Sequence, residues 1–104
     1  MYRVTYENTL RQGKNLRDFQ NWLSVFWTVQ QTWGADSVKF WLERHGSEKH
    51  VICQYLVRDI QLWNRLAMEQ GASDLVRELE NIVETDKITI DRIADGQKGL
   101  PFNQ

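Results

Sequence analysis

Hydrophobic and polar positions alternate over Met1–Asn8, where Tyr2, Val4 and Tyr6 interleave with Arg3, Thr5 and Glu7. A period of two belongs to a strand with one buried face. Gln12-Gly13-Lys14 breaks the alternation. Asn15 then stands where a helix cap belongs, with Asp18 three residues on, and apolar residues recur at helical spacing from Leu16 to Trp33. Gly34 tolerates the left-handed backbone that ends a helix.

Alternation returns over Ser37–His45, with Val38, Phe40 and Leu42 on one side and Ser37, Lys39, Trp41, Glu43 and His45 on the other. Gly46-Ser47 supplies a hairpin turn. The return strand, His50–Arg58, separates Val51, Cys53, Tyr55 and Val57 from His50, Ile52, Gln54 and Leu56. A turn centred on Gly46-Ser47 sets Leu42 opposite Val51 and Phe40 opposite Cys53, so both apolar sets share a face. Asp59 caps a helix over Ile60–Gln70, with Ile60, Leu62, Trp63, Leu66 and Ala67 on one side. Gly71 interrupts it, and Ser73 caps a second helical stretch to about Glu84, striped by Leu75, Val76, Leu79, Ile82 and Val83. Lys87–Asp95 closes the series as a strand with Ile88 and Ile90 on one side.

The order β-α-β-β-α(α)-β predicts an α+β, ferredoxin-like domain over residues 1–95, followed by a tail over 96–104. Its four-stranded antiparallel sheet carries helices on one face. The covered face takes Tyr2/Val4/Tyr6, Val38/Phe40/Leu42, Val51/Cys53/Tyr55/Val57 and Ile88/Ile90.

Two features exceed the needs of a lone domain. The apolar residues of Leu16–Trp33 span roughly 200° of the helix circumference, where a surface helix needs ~100°. Either neighbouring elements wrap this helix, or a partner or ligand covers the rest. Gln30 lies inside that arc and needs a hydrogen-bond partner; a structural one is the simpler expectation. The second feature is the open sheet face, where Trp41, Ile52, Leu56 and Ile93 form an apolar centre among charged residues. A second copy of the chain is its simplest cover.

Composition narrows the partners. In 104 residues, 13 Lys plus Arg against 14 Asp plus Glu leave no excess of positive charge for a phosphate backbone, so nucleic acid is not an expected partner. No stretch approaches the ~20 apolar residues of a membrane span, and no membrane partner is expected. The single cysteine, Cys53, permits no internal disulfide and lies in an apolar run, which points to a reducing, cytoplasmic compartment. Five Trp concentrate much apolar area in few side chains.

The run Thr5-Tyr6-Glu7-Asn8-Thr9-Leu10, followed by Gly13-Lys14 and a long aromatic helix, resembles the start of the dimeric α+β barrel superfamily. So does Val57-Arg58-Asp59-Ile60-Gln61-Leu62-Trp63, continuing through Gly71 and Leu75–Val83 into Ile88-Thr89-Ile90-Asp91-Arg92-Ile93. That superfamily includes antibiotic-biosynthesis monooxygenases, haem-degrading monooxygenases and stress-responsive A/B-barrel proteins. The resemblance implies a homodimer, joined through the open sheet faces into a barrel, often with a ligand pocket between each sheet and its own helices. Asn8 sits where haem-degrading members place an Asn. Their third-strand Trp is replaced by the Tyr55-Leu56 region, and no His lies between Asp59 and Glu84 to ligate iron, so haem degradation is disfavoured and no cofactor is expected.

No nucleophile triad, metal-protease, CxxC or phosphate-loop motif is present. His45 and His50 flank the hairpin turn without a clear third ligand, so no metal is expected. Glu7, Glu43 and Asp91 near Arg3 and Lys39 read as ion pairs across strands or across a dimer. Three functions stand: a homodimeric binder of a small, partly apolar or aromatic molecule; a cofactor-independent monooxygenase or isomerase of the same architecture; and an assembly module. For the first, the ligand-binding candidates are Asn8, Trp27, Trp33, Trp41, His50 and Gln54.

Overall fold

The computed structural model describes residues 1–69 and 73–93. In chain order the elements are β1 (Tyr2–Leu10), α1 (Leu16–Thr32), β2 (Ala35–His45), β3 (Glu48–Val57), α2 (Ile60–Glu69), α3 (Asp74–Ile82) and β4 (Val83–Arg92). The strands form one antiparallel sheet in the order β2-β3-β1-β4. This is the ferredoxin-like α+β arrangement expected from the alternation. The Gly71 break and the tail at 96–104 lie outside the described residues.

Local chemistry explains the boundaries. Asn15 and Asp18 form a reciprocal capping box, the Asn15 side chain accepting from the Asp18 amide at 3.1 Å and the Asp18 carboxylate from the Asn15 amide at 2.8 Å. Gly34 follows the C-cap Trp33 with φ 97°, a left-handed conformation that glycine adopts without strain. Asp59 accepts from the Gln61 and Leu62 amides at the start of α2. The β2–β3 register places Leu42 opposite Val51 and Phe40 opposite Cys53, as the turn length requires.

The helix-facing side of β1 and β3 is the core. Val4, Val51, Cys53 and Val57 are buried there with Tyr55, against Phe19, Trp22 and Leu23 of α1 and Trp63 of α2. The wide arc of α1 serves two neighbours. Phe19 meets Phe40 of β2, while the Trp22 indole donates to the Leu75 carbonyl at 3.0 Å and ties α1 to α3. Val25 and Val29 at the arc's margin remain exposed.

Three expectations are corrected. The last helix stops at Ile82, and β4 starts at Val83, not Lys87; Val83 is a strand residue paired with Leu10. A β-bulge at Asp86, between Thr85 opposite Asn8 and Lys87 opposite Glu7, shifts the phase of alternation inside this strand. Ile88 and Ile90 point to the helix side, opposite Tyr6 and Val4, yet are 55% and 44% exposed because β4 is an edge strand that the helices cover only partly. Ser73 has the extended backbone of an N-cap, but its hydroxyl is buried without a partner and makes no capping bond.

Candidate functional site

Between the sheet and its own helices lies a cavity of about 260 Å³. Its floor is Tyr6 and Asn8 of β1, Cys53 and Tyr55 of β3, and Thr85 and Ile88 of β4. Phe19, Trp22 and Gln30 of α1 form the roof with Trp33, Trp63 and Ala67, and α3 closes one side with Leu75, Val76 and Leu79. The aromatic walls brace one another: Tyr55 lies 4.9 Å from Trp63 and 5.7 Å, edge-on, from Tyr6, and Trp33 lies 5.4 Å, edge-on, from Trp63.

Few polar atoms meet this space. Asn8, 2% exposed, donates through Nδ2 to the Val51 carbonyl at 3.0 Å and accepts from the Thr85 hydroxyl at 2.8 Å, so both ends of its amide help hold β1 to its two neighbours. The bulge at Asp86 makes this possible by bringing Thr85 opposite Asn8. Gln30, 3% exposed, donates through Nε2 to the Tyr55 hydroxyl at 2.8 Å, while its Oε1 has no hydrogen-bond partner.

Among the described residues, the wall contains no Lys, Arg, His, Asp or Glu. Its titratable groups stay protonated at neutral pH. Burial pushes the Cys53 thiol up to about 12. Burial also raises the Tyr55 phenol well above its ordinary value, Cys53 adding to the effect and the Gln30 bond opposing it. Tyr6 is raised by burial, against a bond from Trp63. The cavity is therefore neutral, aromatic and sparsely polar.

The six candidate residues do not form one cluster. Asn8 and Trp33 line the cavity. Trp27 is half-buried and stacks against Tyr55 at 6.5 Å without bordering the cavity. Trp41, His50 and Gln54 belong to the opposite face of the sheet. There Gln54 lines a groove of about 570 Å³, larger than the helix-side cavity, with Arg3, Lys39, Leu56 and Ile93. The Trp41 indole donates to Glu43 at 2.9 Å, with the Lys39 ammonium 5.7 Å from the ring centroid. That indole bond is the main cause of the lowered Glu43 carboxyl, which His45 lowers further. The His45 and His50 rings approach to 4.5 Å across the turn, and His50 also contacts Glu48 at 3.2 Å and Thr9 at 3.3 Å. Side-chain exposure is 58% for His45 and only 15% for His50.

Glu43 bonds Trp41 and His45, Asp36 pairs with Arg58 at 2.9 Å, and no ion pair joins Arg3, Glu7 and Asp91 among the described residues. No group of three or more His, Cys, Asp or Glu is arranged to hold a metal ion among those residues. Nor is any described helix long and apolar enough to cross a membrane.

Tyr6, Cys53, Tyr55 and Trp63 are cavity residues that the sequence reading assigned only to the core. Their alternation placed them on the covered face, but not beside a gap in it. Thr85 was missed because it precedes the expected start of β4.

The fold and cavity define a ferredoxin-like α+β protein with a pocket between sheet and helices. No protein-family model matches the chain, and no curated protein matches it in sequence. Solved structures do share the fold. HapK from Hahella chejuensis is similar with a TM-score of 0.72 at 9% identity, over 91% of this chain and 94% of that one. SnoaB from Streptomyces nogalater, a cofactor-independent oxygenase, is similar with a TM-score of 0.65 at 9% identity, over 91% of this chain and 96% of its own. Atu4242 from Agrobacterium tumefaciens gives 0.63, also at 9% identity, over 91% and 95%. The resemblance read from the sequence thus holds at the level of fold.

Proposed function

We propose that this protein is a homodimer that binds a small, partly apolar or aromatic molecule between each sheet and its own helices. The observation that carries the reading is the cavity of about 260 Å³, walled by Tyr6, Trp22, Trp33, Tyr55 and Trp63, with Gln30 also in its lining. Aromatic walls supply contact area, and a few polar atoms set orientation. Native mass spectrometry of protein purified without added ligand tests it. A retained small molecule, released on unfolding, is expected; empty protein that also binds no member of an aromatic fragment library contradicts the reading.

The dimer rests on the sheet face that the described helices leave open. The three described helices pack on the other side, leaving Trp41, Leu56 and Ile93 half-buried around Ile52, with polar side chains at the rim. Such an apolar centre with a polar margin is the anatomy of a subunit interface. Sedimentation equilibrium at micromolar concentration is expected to give twice the chain mass, and a monomer would contradict this.

A second reading, a cofactor-independent oxygenase, is favoured by the fold shared with SnoaB. Fold alone does not carry chemistry across at 9% identity. Among the described residues the protonated wall supplies no general base near neutral pH, and catalysis by those residues would rely on the substrate's own reactivity.

A further inference from the structure

Gln30 is the one described cavity residue whose buried side-chain polar atom lacks a partner. Its Nε2 is committed to the Tyr55 hydroxyl at 2.8 Å, which fixes the amide and leaves Oε1 as a buried acceptor without a donor. A buried carbonyl oxygen with no donor is costly, and such atoms in folded proteins call for an explanation. No donor among the described residues meets Oε1; Asn8 and Thr85, also in the lining, are bonded to each other and to the Val51 carbonyl. An O–H or N–H carried by a molecule that enters the cavity would supply that donor.

We propose that Gln30 is the specificity-determining residue of this cavity, accepting a hydrogen bond through Oε1 from the O–H or N–H of an uncharged aromatic ligand of one or two rings. This rests on the reading of the cavity as a ligand site. Three observations set the ligand class. The unpartnered atom is an acceptor, so the ligand carries a donor. Among the described residues the wall holds no charged side chain to pair with an ion, which favours a neutral ligand. An apolar cavity of about 150 Å³ holds benzene, and about 260 Å³ extends that to a fused pair of rings. A site built to bond a substrate O–H or N–H discriminates against analogues lacking it, because its own polar atom is then left unpaired.

The test is a calorimetric titration at pH 7 with three probes of matched ring system: 2-naphthol, naphthalene and 2-naphthoate. The wild-type chain is expected to bind 2-naphthol about tenfold more tightly than naphthalene, and 2-naphthoate more weakly than 2-naphthol. Gln30→Leu removes the acceptor while keeping similar volume. It is expected to bind naphthalene at least as tightly as wild type and to lose the preference for 2-naphthol. Gln30→Met serves the same purpose should Gln30→Leu fail to fold, and the wild-type comparison stands without either variant. Equal wild-type affinity for 2-naphthol and naphthalene, or a preference that survives in Gln30→Leu or Gln30→Met, overturns the role of Gln30 while leaving the cavity a ligand site. Tighter binding of 2-naphthoate overturns the neutral-ligand assignment. Failure of all three probes to bind counts against both this inference and the ligand-site reading.

Discussion

Gln30 on α1 donates to the Tyr55 hydroxyl on β3 at 2.8 Å, deep between the helix layer and the sheet. This bond fixes a helix to the strand beneath it at the edge of an aromatic cavity. It also orients an amide whose Oε1 has no hydrogen-bond partner among the described residues.

Tyr55→Phe removes the acceptor and leaves both ends of the Gln30 amide buried without partners. The expected cost is about 1–3 kcal/mol. Urea unfolding checks it, as a lower midpoint with an unchanged slope. Gln30→Leu combined with Tyr55→Phe should cost less than the two single changes summed, since the double variant leaves no orphaned amide.

Asn8→Asp places a carboxylate at a site 2% exposed, facing the Val51 carbonyl. Burial raises a carboxyl's folded-state value above its unfolded one, so the folded variant holds its proton more tightly than the unfolded chain. Stability then falls as pH rises through that window. The variant should be less stable than wild type by roughly 2–4 kcal/mol at pH 7, with a deficit that shrinks toward pH 4. Urea unfolding at the two pH values measures it, and a deficit that grows toward acid would contradict the account of the site.

Cys53 is buried and its thiol is pushed up to about 12. Native protein at pH 8 should leave a disulfide reagent unreacted, and denatured protein should release one thiol equivalent. The same shift has a consequence for stability. The thiol ionises in the unfolded chain before it does in the fold, so the unfolded state gains from high pH. Stability should fall as pH rises from about 9 toward 12, by up to ~1.4 kcal/mol per pH unit for each such group. Tyr55 and Tyr6, also raised, act in the same direction.

Exposure of β4 on the helix side gives a sharp contrast between two apolar residues paired across strands. Val4→Ala, in the core, should cost about 2 kcal/mol, whereas Ile90→Ala should cost about 1 kcal/mol or less. Comparable losses in urea unfolding would show that Ile90 is covered after all.

Much of this was legible in the chain. The pairing of Leu42 with Val51 follows from turn length and a period of two, and the Asn15–Asp18 box from residue type and spacing. Gln30 stood out as an amide in an apolar arc. Other features were not legible, for identifiable reasons. Helix-facing residues of β4 fall at 83, 85, 88 and 90, so the bulge at Asp86 shifts their parity, and only the stretch after it alternates cleanly. Val83 continues the stripe of α3 in sequence while already belonging to the strand. Alternation assigned Ile88 and Ile90 to a face, but how far the helices reach over that face is a tertiary outcome. The candidate site divided for a similar reason. Asn8 and Trp33 lie above the sheet, while Trp41, His50 and Gln54 lie below it, and aromatic content alone does not distinguish a pocket wall from an interface.

The central claim, a ligand site between sheet and helices, is tested most directly by the indole N–H resonances of the five Trp during titration with 2-naphthol. Trp22, Trp33 and Trp63 line the cavity, whereas Trp41 lies across the sheet. The account predicts that the first three shift together and saturate while Trp41 stays in place. Movement of Trp41 alone, or of none of the five, would contradict it.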